Sequence, residues 1–244
     1  MTIDISFEYM VALIILVSML TQLLFGVGVL LWGTPSLILL GFEFTTALSL
    51  LLPISLGISG LQVGQNFQHI NKKEIWSFIK LSLPLVVLGL IFVMTSDIEV
   101  EWFVFAALGV GGLLRLNIFK TLSDRVVNFK DFMLPLIGIV HGISNLGGAL
   151  LVMWVSQTDK TKLGLRSTVA ACYLLLAFFQ IVTLMVYNDE LTVFVSYFVF
   201  GILAYVILDQ FIMGSIKDSV FDVLLTCAIF SMAFLIGLRA TSVI

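Results

Sequence analysis

Charged residues are scarce in this sequence. Of its 244 residues only 11% are Asp, Glu, Lys or Arg, whereas 60% are hydrophobic and the mean hydropathy is +1.17. A soluble domain of this length needs a polar surface, and this composition cannot supply one. The scarcity of charge therefore excludes a soluble protein and predicts that the lipid bilayer is the solvent for the fold.

Catalytic motifs and paired cysteines are also missing. The two cysteines, Cys172 and Cys227, lie in different apolar segments without a CxxC spacing. Lone cysteines of this kind are usually small core residues, so redox or sulfur-relay chemistry is the less favoured alternative. The sequence contains no HExxH, no phosphate-binding loop, no nucleophile elbow and no Cys/His cluster. We predict neither an enzyme nor a bound metal or cofactor, and any transport is expected to be secondary because no ATP-binding motif is present.

A secretory signal is not evident at the start of the chain. Such a signal needs a basic segment and a small-residue cleavage site. Asp4 and Glu8 stand where the basic segment is expected, and no Lys or Arg precedes the first apolar run. We therefore expect the first segment to remain in the protein.

Long apolar runs dominate what the sequence does contain. An α-helix needs roughly 20 apolar residues to cross the hydrocarbon core of a bilayer. The apolar runs cover about residues 5–31, 44–67, 76–95, 102–117, 132–156, 167–187, 191–208 and 220–238. The loops between them leave no room for a soluble domain. The sequence predicts a single all-α polytopic membrane domain over residues 1–244.

Two interrupted apolar segments match each other at a separation of 119 residues. This shift pairs Gly26-Val-Gly28 with Asn145-Leu-Gly147, Gln22 with His141, and Ala47-Leu-Ser49 with Arg166-Ser-Thr168. In transporters, a duplicated unit whose hydrophobic segment is broken at matching places indicates the binding site. We predict two pseudo-symmetric repeats of about four hydrophobic segments, residues 1–117 and 132–244, joined by a cytoplasmic linker over residues 118–131.

The distribution of lysine and arginine separates two topologies, because these residues collect on cytoplasmic loops. Eight simple spans would divide them 8 to 4 between the two sides. If segments 5–41 and 132–157 instead enter and return, or cross an even number of times, the division becomes 11 to 1, with Arg239 alone outside. This second topology is the better fit. It inverts the second repeat relative to the first, so that the two breaks approach the membrane centre from opposite sides.

Each break is predicted to lead into a short helix. Thr34 is a good N-cap and Pro35 a good first helical residue, which predicts a helix from Pro35 to about Gly41. In the second repeat, Gly147-Gly148 opens the run Ala149–Ser156. A helix N-terminus offers free N–H groups and a partial positive charge, so two such ends could bind an anion with few charged side chains.

The glycines have an alternative interpretation, which is that they only let helices pack closely. We prefer that interpretation for Gly57, Gly60, Gly64, Gly109, Gly111 and Gly112. The duplication in register favours a substrate site for Gly26, Gly28, Gly147 and Gly148.

Several polar residues interrupt the same apolar segments. His141 lies about 15 Å into its segment, at midplane depth, where it could handle a substrate or a proton or simply bridge helices. Its repeat mate Gln22 is also polar, and Asn145 could donate an amide N–H to an oxyanion. Thr34 and Ser144 are weaker candidates.

Other polar residues lie nearer the ends of the segments. Arg166 begins the sixth long run and is either an oxyanion ligand or a cytoplasmic anchor. A cluster at one cytoplasmic end is predicted to provide interface polarity, and consists of Gln62, Gln65, Asn66 and Gln68. Gln180 lies in the middle of a run and is expected to bridge helices.

Motifs in both repeats carry a family resemblance. They are Phe25-Gly-Val-Gly28, Pro35, Gly41 and Ala47-Leu-Ser49 in the first repeat, and Gly142, Gly147-Gly148 and Arg166-Ser-Thr168 in the second. Together these motifs resemble the TauE/SafE family of membrane transporters, also called the sulfite exporter or DUF81 family, over the whole length of the chain. The chain departs from the family pattern at Val29, Leu30 and Trp154. The resemblance implies transport of small anions, notably sulfite and organosulfonates in bacteria.

The sequence thus predicts a secondary transporter that moves a small anion across the bacterial inner membrane by alternating access, and the resemblance implies that the anion is sulfite or an organosulfonate. The expected partners are the anion and the bilayer, with no nucleic acid. Coupling to a proton or another ion and a homo-oligomeric state are both compatible with the sequence. The predicted substrate-binding residues are Gln22, Gly26, Gly28, Thr34, His141, Ser144, Asn145, Gly147, Gly148 and Arg166. The alternatives are a carrier for another small anion such as a carboxylate, and a non-transporting membrane scaffold or sulfur-relay protein.

Overall fold

Helices make up the whole regular structure of the described chain. The computed structural model describes residues 5–25, 29–115, 130–159, 161–187, 194–212 and 218–241. Within these ranges every regular element is a helix and none is a strand. The prediction of an all-α protein is confirmed.

The helices follow the apolar runs closely. In the first half they are α1 (Ile5–Phe25), α2 (Val29–Leu39), α3 (Phe44–Asn66), α4 (Lys72–Leu81), α5 (Leu83–Thr95) and α6 (Val100–Arg115), with a single 3-10 turn at Phe67–His69 after α3. In the second half they are α7 (Lys130–Ser144), α8 (Gly148–Thr158), α9 (Lys162–Tyr187), α10 (Val195–Ile212) and α11 (Asp218–Ala240). The two shortest apolar helices, α2 and α8, have 11 residues each and so extend only about 16 Å.

Three helical segments are long and apolar enough to cross a membrane, judged by length and composition. Among the described residues these are Phe44–His69, Lys72–Thr95 and Leu163–Tyr187. Large apolar side chains on several helices point outward, including Phe178, Val186, Leu203 and Phe234, each more than half exposed. An outer surface of this kind suits contact with lipid. Both observations are compatible with a membrane protein.

The predicted start of α2 is wrong. The helix begins at Val29 rather than at Pro35, so Thr34 and Pro35 lie inside it. Proline inside a helix removes one backbone hydrogen bond. Nearly every residue of α2 is buried, and this packing outweighs the missing bond. The hydroxyl of Thr34, expected to cap a helix, instead accepts a hydrogen bond from another part of the chain.

The end of α2 agrees with the prediction. Gly41 has a φ of +96°, a left-handed conformation that glycine adopts without steric cost. The N–H of Gly41 donates to the carbonyl of Ile38 at 2.9 Å, and the N–H of Phe42 donates to the carbonyl of Leu37 at 3.0 Å. This pair of bonds is the Schellman arrangement that closes a helix. In the second half, α8 begins at Gly148 as predicted, with Gly147 at its N-cap.

Glycines let α5 and α7 approach each other closely. A Cβ on Gly142 would lie 2.6 Å from the Val86 carbonyl oxygen and 3.0 Å from the Gly89 Cα. A Cβ on Gly138 would lie 2.5 Å from the carbonyl oxygen of Ser82. Small residues four apart on one helix permit this backbone contact. The contacts advance along both helices in the same direction, so α5 and α7 run parallel.

One end of the bundle gathers the start of α1, the end of α2, the start of α6 and the end of α11. The ring of Phe7 stacks on that of Phe42, with centroids 5.4 Å apart. Arg239 donates to the carbonyl of Leu39 at 3.4 Å and lies 3.9 Å from the carboxylate of Glu101. After α1 and α2, the chain has therefore returned to the end where α1 began.

The other end gathers the end of α3, the starts of α4 and α9, and the end of α10. The N–H of Asn71, just before α4, donates to the hydroxyl of Thr168 at 3.0 Å. Residues from the last turns of α3 and α10 surround one polar pocket with residues from the first turns of α9. The 23 residues of α3 span about 34 Å between the two ends.

Helix neighbours occur in matching sets. In the first half α1 packs against α2 and α10, whereas in the second half α7 packs against α8 and α5. Contacts of α3 with α2 and α10 have counterparts in contacts of α9 with α8 and α5. Across the two halves α3 packs against α9, α6 against α11, and α2 against α8.

Candidate functional site

Most of the residues predicted to bind substrate fall within the described chain. Gly26 and Gly28 lie outside the described residues. The other candidates are Gln22, Thr34, His141, Ser144, Asn145, Gly147, Gly148 and Arg166. All of these except Arg166 are buried. They occupy three places: the turn between α7 and α8, the start of α2, and one end of the bundle.

Asn145 links three helices from the turn between α7 and α8. Its amide nitrogen donates to the hydroxyl of Thr34 on α2 at 2.9 Å, and its amide oxygen accepts from Gln180 on α9 at 3.3 Å. Its φ is 61°, in the left-handed region that Asn tolerates better than most residues. The predicted role of Gln180 as a bridge between helices is confirmed by this bond.

His141 and Tyr173 lie beside this cluster with polar atoms that have no partner. His141 is fully buried and Tyr173 is 1% exposed. Neither ring nitrogen of His141 makes a hydrogen bond of standard geometry within the described chain, where the Gln180 amide is its polar neighbour. The Tyr173 hydroxyl also has no partner among the described residues. The two rings meet edge to face, with centroids 6.0 Å apart. Buried polar atoms are normally hydrogen-bonded, because losing water without a replacement is costly. Such atoms mark a place where a polar ligand or water would bind.

The N-terminus of α8 adds electropositive backbone to the same place. No side chain caps this helix, and the first N–H groups of a helix have no partner within it. A Cβ on Gly148 would overlap the hydroxyl of Tyr173, and a Cβ on Gly147 would lie 2.7 Å from the Cβ of His141. The two glycines thus bring the helix start directly against these side chains. The arrangement offers N–H groups, a hydroxyl and an imidazole to a ligand, which suits an oxyanion.

Gln22 lies beside the start of α2. Its amide oxygen accepts from the N–H of Val29, the first residue of α2, at 3.4 Å. Its amide nitrogen donates to the amide oxygen of Gln62 at 3.3 Å. Gln62, expected only to provide interface polarity, is therefore tied to the N-terminus of α2.

Arg166 and Ser144 do not join the His141 cluster. Arg166 lines the polar pocket at the end of the bundle, about 10 Å along α9 from Tyr173. The hydroxyl of Ser144 donates to the Val140 carbonyl at 2.7 Å, so it bonds to its own helix.

Sequence reasoning missed Tyr173, although a signal was present. Arg166, Tyr173 and Gln180 recur at a spacing of seven residues, which places them along one face of α9. This polar stripe runs from the end of the bundle to Asn145. Among so many aromatic residues, only its spacing from two other polar residues distinguishes Tyr173.

An apolar cavity of about 510 Å³ lies between α6, α7 and α8. Phe103, Val110, Phe132, Ile139 and Leu150 are among its lining residues, and Ser144 is its one polar side chain. It offers no charge and few donors, so it does not suit an anion. Among the described residues no group of three His, Cys, Asp or Glu side chains could hold a metal ion.

Comparisons of the chain with models of known protein families, with curated proteins and with solved structures found no match. The resemblance to the TauE/SafE family therefore stays a prediction carried by the motifs alone.

Proposed function

We propose that this protein is a secondary transporter that moves a small oxyanion across the bacterial inner membrane by alternating access. The observation that carries the proposal is the buried pair His141 and Tyr173, whose polar atoms lack partners at the N-terminus of α8. Hydrogen-bond donors and a helix N-terminus stabilise negative charge without a permanent cation in the membrane. The substrate class, sulfite or an organosulfonate, comes from the resemblance to the TauE/SafE family.

The proposal includes two repeats related by a shift of 119 residues. The matching sets of helix neighbours support it, since each contact of α1 and α3 has a counterpart for α7 and α9. The two short helices, α2 and α8, also correspond. Gln22 lies at the start of α2 and its repeat mate His141 lies at the start of α8. Duplicated breaks of this kind are typical of transporter binding sites.

The proposal also holds that the repeats are inverted and that each broken segment enters and returns. Phe7 beside Phe42 supports a return of the first segment to its starting side. For the second segment, α7 runs parallel to α5, and the start of α9 lies beside the start of α4. Both α7 and α9 thus start at the end of the bundle where α4 starts, which requires the segment between them to return to that end. These directions support the topology for which the sequence gives an 11 to 1 division of Lys and Arg in favour of the cytoplasmic side.

Flux through reconstituted protein tests the proposed function. Purified protein in liposomes is expected to move ³⁵S-labelled sulfite or a labelled two-carbon sulfonate above the rate of empty liposomes. Asn145→Gly keeps a backbone that accepts a positive φ and removes the amide between Thr34 and Gln180. We expect it to reduce flux by about tenfold or more, since one buried hydrogen-bonded group contributes on the order of 1–3 kcal/mol.

Two outcomes would count against the proposal. No flux and no binding across a panel of such anions would remove the transport claim. Flux that is unchanged in Asn145→Gly would favour a carrier whose substrate does not use this cluster.

The rivals are separated by their substrates and by Cys172. Paired sulfonates and carboxylates of equal chain length, compared by thermal shift, distinguish a sulfonate carrier from a carboxylate carrier. A sulfur relay requires a reactive cysteine, and Cys172 is fully buried in α9. A variant without either cysteine that still transports would exclude the relay.

A further inference from the structure

A small polar pocket lies where the last turns of α3 and α10 meet the first turns of α9. Its volume is about 50 Å³, room for a few waters or a small anion at ~15 Å³ per water position. It is lined by Gln62, Gln65, Asn66, Leu163, Arg166, Ser167, Tyr205 and Asp209. The pocket is distinct from the His141 cluster, and the stripe of α9 that carries Arg166 and Tyr173 runs from one to the other.

Gln62 presents an unpartnered donor in this pocket. The Val29 N–H can only donate, so it fixes the Gln22 oxygen as its acceptor. The Gln22 nitrogen then donates to the oxygen of Gln62. This order leaves the Gln62 nitrogen as the free end of the chain. It is buried and makes no hydrogen bond of standard geometry in the described structure, with Tyr205 as its polar neighbour in the pocket, and the residue is 6% exposed.

The charges lining the pocket are of opposite sign. Arg166 is a permanent cation with several N–H donors suited to an oxyanion. Asp209 lines the same pocket. Its carboxylate would compete with a bound anion for the guanidinium of Arg166. The pocket therefore combines a cation, a buried unpartnered amide donor and one competing anionic group.

We propose that this pocket is the entry subsite for the transported anion, in which Arg166 and the Gln62 amide bind the anion and Asp209 competes with it for Arg166. Asp209 keeps the net charge of the empty pocket close to zero and so lowers its affinity for other anions. From this pocket the anion would move along the polar face of α9 from Arg166 towards Tyr173. The identity of the anion rests on the proposed function, whereas the pocket's preference for an oxyanion rests on its own side chains.

Equilibrium binding of ³⁵S-labelled sulfite to the full-length protein in lipid nanodiscs tests this proposal. Asp209→Asn removes the competing charge and is expected to lower the half-saturating sulfite concentration by about tenfold, since like charges at one site disfavour binding. Gln62→Glu keeps the oxygen that accepts from Gln22 and replaces the donor with negative charge. It is expected to raise that concentration by about tenfold or more. The matched control is Glu43→Gln, an exposed carboxylate at the opposite end of α3, which should leave binding unchanged.

The two substitutions are expected to change sulfite binding in opposite directions. If either folded variant of Asp209 or Gln62 binds sulfite as the wild type does, the entry subsite is overturned. The same measurements on a His141→Phe background separate the two proposals. Sulfite binding that persists there and tightens with Asp209→Asn supports the pocket even if liposomes show no flux. If the wild type transports sulfite but neither Asp209→Asn nor Gln62→Glu changes the half-saturating sulfite concentration, the entry subsite is wrong and the transporter proposal is unaffected. No sulfite binding in any variant rejects both.

Discussion

His141, Asn145 and Tyr173 are polar residues that the fold brings together inside an apolar bundle. Asn145 satisfies its own amide through Thr34 and Gln180, and in doing so fixes the turn between α7 and α8. His141 and Tyr173 instead keep polar atoms without partners. The contrast separates residues that hold the site in place from residues available to a ligand.

The sequence allowed only part of this site to be predicted. His141 and Asn145 were identifiable because polar residues are rare in such apolar segments. Their partners were not, because Thr34 and Gln180 are distant in the chain and meet Asn145 only through packing of α2 and α9. Arg166 was grouped with His141 by its position after the break, whereas the length of α9 keeps the two apart.

The closest contact in the site predicts a compensating pair of substitutions. Gly148→Ala would place a Cβ where the Tyr173 hydroxyl lies, and overpacking of this kind costs about 1–3 kcal/mol. Tyr173→Phe removes that hydroxyl. We expect Gly148→Ala to lower the thermal midpoint by about 5 °C and the double variant to regain most of the loss. Fluorescence-detected size-exclusion after heating measures both.

Flux separates this steric effect from function. On the proposed function, Tyr173→Phe alone should fold normally but transport more slowly, since it lacks the hydroxyl that we propose meets the anion. If Gly148→Ala is as stable as the wild type, the close approach between α8 and Tyr173 is wrong.

At the scale of the elements, the two broken segments were predicted with unequal success. The start of α8 was correct because Gly147-Gly148 interrupts the apolar run and the helix begins there. The start of α2 was misplaced because Thr34-Pro35 has the local signature of a helix start. Local signals express the preference of an isolated chain, whereas burial of α2 on nearly all sides keeps the helix continuous through Pro35.

The contact between α5 and α7 makes a second prediction. In Gly142→Ala the new Cβ would meet the backbone of Val86 and Gly89, and backbone cannot move aside as a flexible side chain can. We expect this variant to lower the thermal midpoint by about 5 °C or more, from a cost of about 1–3 kcal/mol.

Gly109→Ala is the matched control for this contact. Gly109 lies within α6, and a Cβ there would meet nothing within 4 Å. Alanine also has the higher helix propensity, by about 1 kcal/mol, so the control should be neutral or slightly stabilising. Equal losses in the two variants would mean that α5 and α7 are not in close contact.

At the scale of the whole molecule, the charge distribution and the helix directions both bear on the proposed inverted repeats. The sequence indicated an inverted pair of repeats from an 11 to 1 division of Lys and Arg. The helix neighbours and directions agree with that hypothesis. No pattern in the sequence could reveal that Gln62 reaches the start of α2 or that Asp209 meets Arg166 at one pocket, because each of these contacts joins residues from separate helices.

Cysteine labelling in intact cells tests the inverted arrangement. In a background without native cysteines, Glu43→Cys should react with a membrane-impermeant maleimide from outside. His69→Cys and Thr161→Cys, at exposed positions on the other end of the bundle, should react only after the membrane is opened. Labelling of position 161 from outside would overturn the inversion, because the segment before it would then cross rather than return.

The central claim is that the buried cluster at the start of α8 holds the transported anion. An experimental structure determined by electron cryomicroscopy with saturating sulfite tests this most directly. The account predicts density for one anion at about 3 Å from the polar atoms of His141 and Tyr173, beside the first N–H groups of α8. A map that shows sulfite in the entry pocket or elsewhere but none beside His141 and Tyr173 would contradict it.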